Sequence, residues 1–358
     1  MTELSLATPK ARVGAHDRSL AYWLLACCAL VFAMVVIGGI TRLTHSGLSI
    51  TEWNPVSGAL PPLDQAEWQA QLDLYKTTPQ YRLENAGMTL ADFKTIFWWE
   101  YVHRLMGRLI GAAFLVPFLY FLWRRRIERR LAPRLAVLFV LGGLQGALGW
   151  FMVTSGLVER TSVSQYRLAA HLAAALVIYA YMLWLALDLL CPRERHPRAA
   201  NAAGGALRGY LLLAWIFLVA VSGAFVAGLH AGLIFNSFPL MDGKLVPDGL
   251  FSATPWFSSL FEDAMTAQFA HRLLALLTVV LVILFRLSLR RLELAPRARL
   301  AADLLVFMVH VQLSLGIATL VLVVPIPLAA CHQAGALLLF TLALWTAFEL
   351  KGSPKLPA

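Results

Sequence analysis

The chain is poor in charge. Asp, Glu, Lys and Arg make up 14% of its 358 residues, against about 25% in soluble globular proteins. Apolar residues reach 59% and the mean hydropathy is +0.69, which together exclude a soluble enzyme and a disordered chain. Cysteine is scarce as well. The four, Cys27, Cys28, Cys191 and Cys331, form no CxxC pair and no CxxCH, so a disulfide framework and covalent c-type haem attachment by the standard motif are excluded. Cys27 and Cys28 sit in an apolar run and read as buried small hydrophobes. A removable signal peptide is not expected, because the first 20 residues are polar and the apolar run after them is too long and lacks a cleavage site.

What is present is a set of long apolar runs. Eight spans are expected, at about 20–40, 97–122, 133–153, 168–190, 209–229, 266–288, 301–323 and 328–349. Each is long enough to cross a hydrocarbon core of ~30 Å as a helix. The net charge of +10 is a topology signal and not a nucleic-acid signature. Twenty of the 30 Lys and Arg fall in the N-terminal tail, the loops after spans 2, 4 and 6, and the C-terminal tail. The positive-inside rule therefore puts both termini in the cytoplasm, in a bacterial inner membrane. The two long outer segments are 41–95 and 230–264. The first reads as an ordered cap with short helices at 64–75 and 89–95, on the strength of Trp53, Trp68, Tyr75 and Tyr81.

The order of features repeats. His45-Ser46-Gly47-Leu48 is answered by His230-Ala231-Gly232-Leu233 at an offset of 185, and Pro55 by Pro239 at 184. His103-Arg104-Leu105 is answered by His271-Arg272-Leu273 at 168; Gln145 and Leu148-Gly149 by Gln312 and Leu315-Gly316 at 167; and His171 by His332 at 161. The expected fold is all-α: eight transmembrane helices as two tandem four-helix bundles related by a pseudo-twofold axis along the membrane normal. The parts are a tail 1–19, a first half 20–190, a linker 191–208, a second half 209–349 and a tail 350–358.

Each half carries two histidines on helices that enter from the outer face: His103 and His171, then His271 and His332. Two facing imidazoles can hold one haem iron between them. Zinc would want three or four ligands, and each half offers two. One haem site per half follows, near the outer side. Arg42, Arg104, Arg167 and Arg272 lie at the same level, where a guanidinium either pairs with a haem propionate or snorkels to the interface. His45 and His230 end the first and fifth spans, as pocket lining, propionate contacts or water-facing groups. His310 reads as structural, His16 and His196 are uninformative, and Cys331 reads as a packed thiol. The halves differ at one chemical position. Glu100 is three residues before His103 on one helix face, and the copy has Gln268 there. A carboxylate in one half only either serves the helix dipole or marks the half that does chemistry, as base or stabiliser of positive charge.

Gly38-Gly39-Ile40-Thr41-Arg42-Leu43-Thr44 with Ser46-Gly47-Leu48-Ser49, Glu52-Trp53-Asn54-Pro55 and Glu100-Tyr101-Val102-His103-Arg104 closely resemble the haem A synthase family over roughly 20–349, and the outer segment is similar to the branch of mitochondria and related bacteria. Other members carry a cysteine pair in this outer loop; its absence here keeps any redox-active disulfide from carrying over. The resemblance implies a membrane oxidoreductase that converts the C8 methyl of haem O to a formyl group, giving haem A for cytochrome oxidase. It also implies haem b as cofactor on His271 and His332, haem O as substrate on His103 and His171, and Glu100 as catalytic. A haem O synthase and an unidentified electron-transfer protein are the expected partners. The competing reading is a di-haem b electron-transfer protein like cytochrome b561, which would need neither Glu100 nor a substrate entrance.

Overall fold

The computed structural model describes residues 15–54, 57–158, 161–191 and 202–351. Most of both tails and of the linker 191–208 lies outside the described residues, as do Pro55, Arg160 and His196. Eight helices are long and apolar enough to cross a membrane: α1 (Ala15–Leu43), α4 (Leu90–Trp123), α5 (Ala132–Val158), α6 (Gln165–Leu190), α7 (Ala202–Gly228), α9 (Ala264–Ser288), α10 (Pro296–Val321) and α11 (Ile326–Leu350). Three short ones, α2 (Gln65–Tyr75), α3 (Pro79–Leu83) and α8 (Ser259–Glu262), belong to the two long connections. Among the described residues there is no strand, only an isolated bridge between Met241 and Lys244.

The packing pairs of the first four long helices match those of the last four: α1 on α4 and α6, and α5 on α6, against α7 on α9 and α11, and α10 on α11. The two sets meet through α6 on α7 and α1 on α11. At the second of these, Gln333 Nε2 on α11 donates to the Val35 carbonyl on α1 at 2.7 Å. The chain leaves Gly39 without a Cβ there, since a methyl group at that position would lie 1.8 Å from Gln333 Oε1.

The second span begins earlier than its apolar run suggests. Thr89 and Asp92 form a capping box, and no glycine or proline interrupts the chain from there to the apolar stretch, so the separate short helix expected at 89–95 is the first two turns of α4. His103 and Glu100 are accordingly well inside a helix, not at its start. Those turns hold the outer cap: Phe93, Phe97 and Tyr101 bury against Trp68, Leu72 and Tyr75 of α2, whose own N-terminus is capped by Asp64.

The close-packed apolar core sits at one end of the bundle. Its buried members include Leu24, Phe118, Leu135, Leu183, Leu289 and Leu344. On every long helix these residues lie on the side away from the histidine level: 114–121 beyond His103 on α4, 176–187 beyond His171 on α6, 282–289 beyond His271 on α9 and 337–350 beyond His332 on α11. Cys27 and Cys28 are buried in it, as expected. Cys331 is exposed instead of packed, because α11 turns that face outward one residue before His332.

Candidate functional site

Each of the four histidines rests against a glycine on a neighbouring helix. A methyl group built on Gly38 of α1 would lie 2.9 Å from His103 Nε2, and one on Gly149 of α5 would lie 3.0 Å from His171 Cε1. In the second set, Gly223 of α7 stands 3.2 Å from His271 Cε1 and Gly316 of α10 stands 2.9 Å from His332 Cε1 by the same construction. A side chain at any of the four would push the ring away, so the helices approach closely where the rings lie. Within each set the two imidazoles are in electrostatic reach of one another, His103 of His171 and His271 of His332. Two histidines per set, above a core that stops short of their level, fit an iron porphyrin held by two axial nitrogens. Among the described residues no group of three or more His, Cys, Asp or Glu gathers as a metal site, so a multi-ligand zinc centre does not fit.

The rings are oriented by a second layer. Ser222 Oγ lies 2.7 Å from His271 Nδ1 and 2.7 Å from the Val219 carbonyl. A carbonyl only accepts, so the single hydroxyl proton goes to Val219 and the oxygen accepts Nδ1–H. His271 therefore has a bare Nε2, the nitrogen that a metal would take. Gln312 donates to the His332 carbonyl at 2.9 Å with its amide nitrogen 3.1 Å from Nδ1. Gln145 repeats this at His171, 2.9 Å to the carbonyl and 3.2 Å to Nδ1. The Oε1 atoms of both glutamines are buried and unpaired. The His103 ring has no hydrogen-bond partner among the described residues.

Glu100 is 2% exposed and receives four donors. Ser49 Oγ and the Ile50 N–H reach Oε2 at 2.8 and 2.9 Å, and Arg104 Nη2 and Nε reach Oε1 at 2.6 and 3.0 Å. Arg104 goes on to the Ile50 and Glu52 carbonyls at 2.7 and 2.9 Å. The second set builds the same clamp with an amide: Gln268 donates to the Ala231 carbonyl at 2.7 Å, and Arg272 reaches Gln268 Oε1, the Phe235 carbonyl and the Ser237 carbonyl at 3.1, 2.7 and 2.8 Å. Both arginines thus pin the chain that leaves the first helix of their set.

Of the other arginines, Arg167 donates to the Phe151 carbonyl and lies 3.6 Å from that ring's centroid. The Arg42 side chain makes no hydrogen bond or ion pair to a described residue, which leaves its donors open to an anion. His45 and His230 both adopt left-handed backbone, φ 55° and 52°, and their rings stack at 5.7 Å with 4° between planes. These repeat equivalents therefore meet where the two sets join. His310 donates Nδ1–H to the Val306 carbonyl at 2.7 Å, a local helix contact.

A family model described as cytochrome oxidase assembly protein, COX15-CtaA, matches residues 21–344. The chain belongs to the COX15-CtaA family. Three relatives, each named Heme A synthase, show how evenly that membership extends: the protein of Nitrosospira multiformis is 54% identical over 94% of this chain and 95% of its own length, that of Parvibaculum lavamentivorans 51% over 95% and 96%, and that of Nitrosomonas eutropha 50% over 92% and 93%. The part that matches the COX15-CtaA model takes in both histidine pairs, six of the eight long helices whole and most of α1 and α11.

Two features of the site were not singled out in the sequence. The glycines carried a signal: Gly38 and Gly223 share the offset of His45 and His230, and Gly149-to-Gly316 was itself a marker of the repeat. Ser222 carried none, because its copy is Ile37 and a repeat displays only what matches.

Proposed function

We propose that this chain is a membrane-bound haem A synthase, oxidising the C8 methyl of haem O to a formyl group to supply haem A to cytochrome oxidase. The observation that carries the reading is the double histidine pair, every ring seated on a glycine of the next helix, in a chain about half identical to haem A synthases along nearly all its length. The N-terminal half receives haem O between His103 and His171. His271 and His332 of the C-terminal half would hold haem b, which would supply a one-electron relay there. Arg42, with its uncommitted donors, is the best suited of the four arginines to meet a propionate. The twofold relation of the halves and a bacterial inner-membrane location with cytoplasmic termini complete the reading. The first is supported by the matched packing pairs, the second by the Lys and Arg distribution.

Methyl to aldehyde is a four-electron oxidation. Two rounds achieve it, each adding one oxygen atom to the carbon, either by hydroxylation or by removal of two electrons to the electron-transfer partner with attack of water on the oxidised carbon; the geminal diol then loses water to give the aldehyde. Glu100, one helical turn from His103, is the group of this chain placed to favour charge build-up. With four donors filling its two oxygens, a proton would have to displace one of them. We assign it an electrostatic role, a fixed negative charge that stabilises positive charge at the reacting carbon, in preference to a base.

The test is haem extraction from protein purified from a host that supplies haem O, followed by chromatography and mass spectrometry. Haem B together with haem O or haem A supports the synthase. Haem B alone, with haem O neither bound nor converted, supports the b561-like electron carrier. No haem at all refutes the ligand assignment.

A further inference from the structure

We propose that Ser222 and its repeat counterpart Ile37 decide which haem stays and which leaves; the inference rests on the two-haem reading above. A resident cofactor must be retained through many turnovers, whereas a substrate site must release its product. Both sites use two imidazoles, so the ligand count does not separate them. The hydrogen bond behind one ligand does. Gly223 and Gly38 are repeat equivalents, Gly223 against Cε1 of His271 on α9 and Gly38 against Nε2 of His103 on α4. The residue before Gly223 is Ser222, whose oxygen accepts Nδ1–H of His271 while its proton is held by the Val219 carbonyl. The residue before Gly38 is Ile37, which has no acceptor, and the His103 ring has no other hydrogen-bond partner among the described residues.

The consequence is chemical as well as steric. An acceptor on Nδ1–H fixes the ring plane and the tautomer and makes Nε2 a stronger donor to a metal. Removing such a partner commonly costs 10–100-fold in metal affinity. At the other histidine of each pair the two sites are alike, with the amide nitrogen of Gln145 beside His171 and that of Gln312 beside His332. An amide nitrogen only donates, so the acceptor behind a ligand is found in the C-terminal site alone. Ser222 is a positioning residue acting through His271; Ile37 leaves His103 free to swing off the iron when product departs.

The experiment uses the full-length protein loaded with its two haems and an excess of apomyoglobin as scavenger. The two haems differ chemically, so mass spectrometry of the transferred haem reads each half separately. Ser222→Ala is expected to speed haem B release 10–100-fold without changing release of haem O or A, and to raise the haem B midpoint potential and shift its low-spin ferric spectrum. Ser222→Thr, which keeps the acceptor, restores all of these. Ile37→Ser is expected to slow release from the N-terminal half, with no change in haem B. If Ile37→Ser does not fold, Ser222→Ile carries the exchange test from the other side and should release haem B at the rate of the N-terminal haem. Unchanged haem B release and spectrum in Ser222→Ala overturn the inference, as does equal acceleration of both haems, which marks a general packing defect. Failure of the two-haem reading shows separately, in wild-type protein that contains no haem B.

Discussion

The two four-helix sets share a frame and differ in what they put on it. Both clamp the chain leaving their first helix with an arginine, but Arg104 does so through the carboxylate of Glu100 and Arg272 through the amide of Gln268. Both seat the histidine of their second long helix on a glycine, but the His271 ring is hydrogen-bonded to Ser222 and the His103 ring has no hydrogen-bond partner among the described residues. The frame is what folds; the two departures that bear on the histidines lie at the histidine level. A duplicated membrane bundle can therefore acquire two functions without altering its packing, since the exchanges Glu for Gln and Ile for Ser lie above the core.

The largest effect should come from erasing the charge difference. Glu100→Gln keeps an oxygen for Arg104 as Gln268 does for Arg272, but turns an amide nitrogen toward the Ile50 N–H where Gln268 meets carbonyls; the fold and haem B content should survive with some loss of stability. Conversion of haem O should fall about 10²–10³-fold, the usual range for loss of one preorganised electrostatic group. The measurement is haem A per haem B in purified protein. Gln268→Glu is the control and should leave conversion within about twofold; wild-type haem A output from Glu100→Gln would remove the carboxylate from the mechanism.

Next comes the clamp itself. Arg104→Ala strands a carboxylate that is 3% exposed, and breaking a buried pair this way costs about 3–5 kcal/mol. Arg272→Ala strands only a neutral amide and backbone carbonyls, for about 1–3 kcal/mol. Thermal unfolding in detergent should rank Arg104→Ala below Arg272→Ala. Equal losses would mean that the Glu100 charge is compensated by groups other than Arg104.

How much of this difference was legible in the sequence depends on the kind of signal. The eight spans and the histidine pairs were, because apolar runs of span length and residues repeated at a steady offset are one-dimensional patterns. The start of α4 was not. Thr89 to Lys94 carries Thr89, Asp92 and Lys94 ahead of the apolar run and reads as a separate cap helix, and only the absence of a breaker before Trp98 tells that the helix continues. Nor was the saturation of Glu100, since Ser49 and Ile50 approach it from about fifty residues away. Ser222 was hidden by the comparison that revealed so much else, because it is a mismatch.

A third contrast lies at the seam between the sets. On the α1–α11 side Gly39 makes room for Gln333; on the α6–α7 side the repeat places Ala224 and Leu172 at those positions. Gly39→Ala would set a methyl group 1.8 Å from the Gln333 amide oxygen, an overpacking worth about 1–3 kcal/mol. Gln333→Ala should rescue most of it in the double variant. A double variant no more stable than Gly39→Ala alone would show that the strain lies in the helix backbones.

The smallest effect expected separates the two stacked histidines at that seam. His45 is exposed and His230 half-buried. Burial first, then the Arg42 guanidinium and His45, lower the His230 pKa below its usual 6.5, with Glu84 opposing them. In the folded protein His230 thus stays neutral at a pH where the unfolded chain would protonate it. Its contribution to stability is complete above about pH 6.5 and declines as the pH falls through that value toward the lowered one. Melting temperature followed from about pH 7.5 to about pH 5.5 should decline less in His230→Gln than in wild type. The same substitution at His45 takes away only one of the lesser causes acting on His230, leaving burial and the Arg42 guanidinium in place, and should change the slope less. A shallower acid decline in His45→Gln than in His230→Gln would overturn the assignment of the acid-sensitive ring to His230.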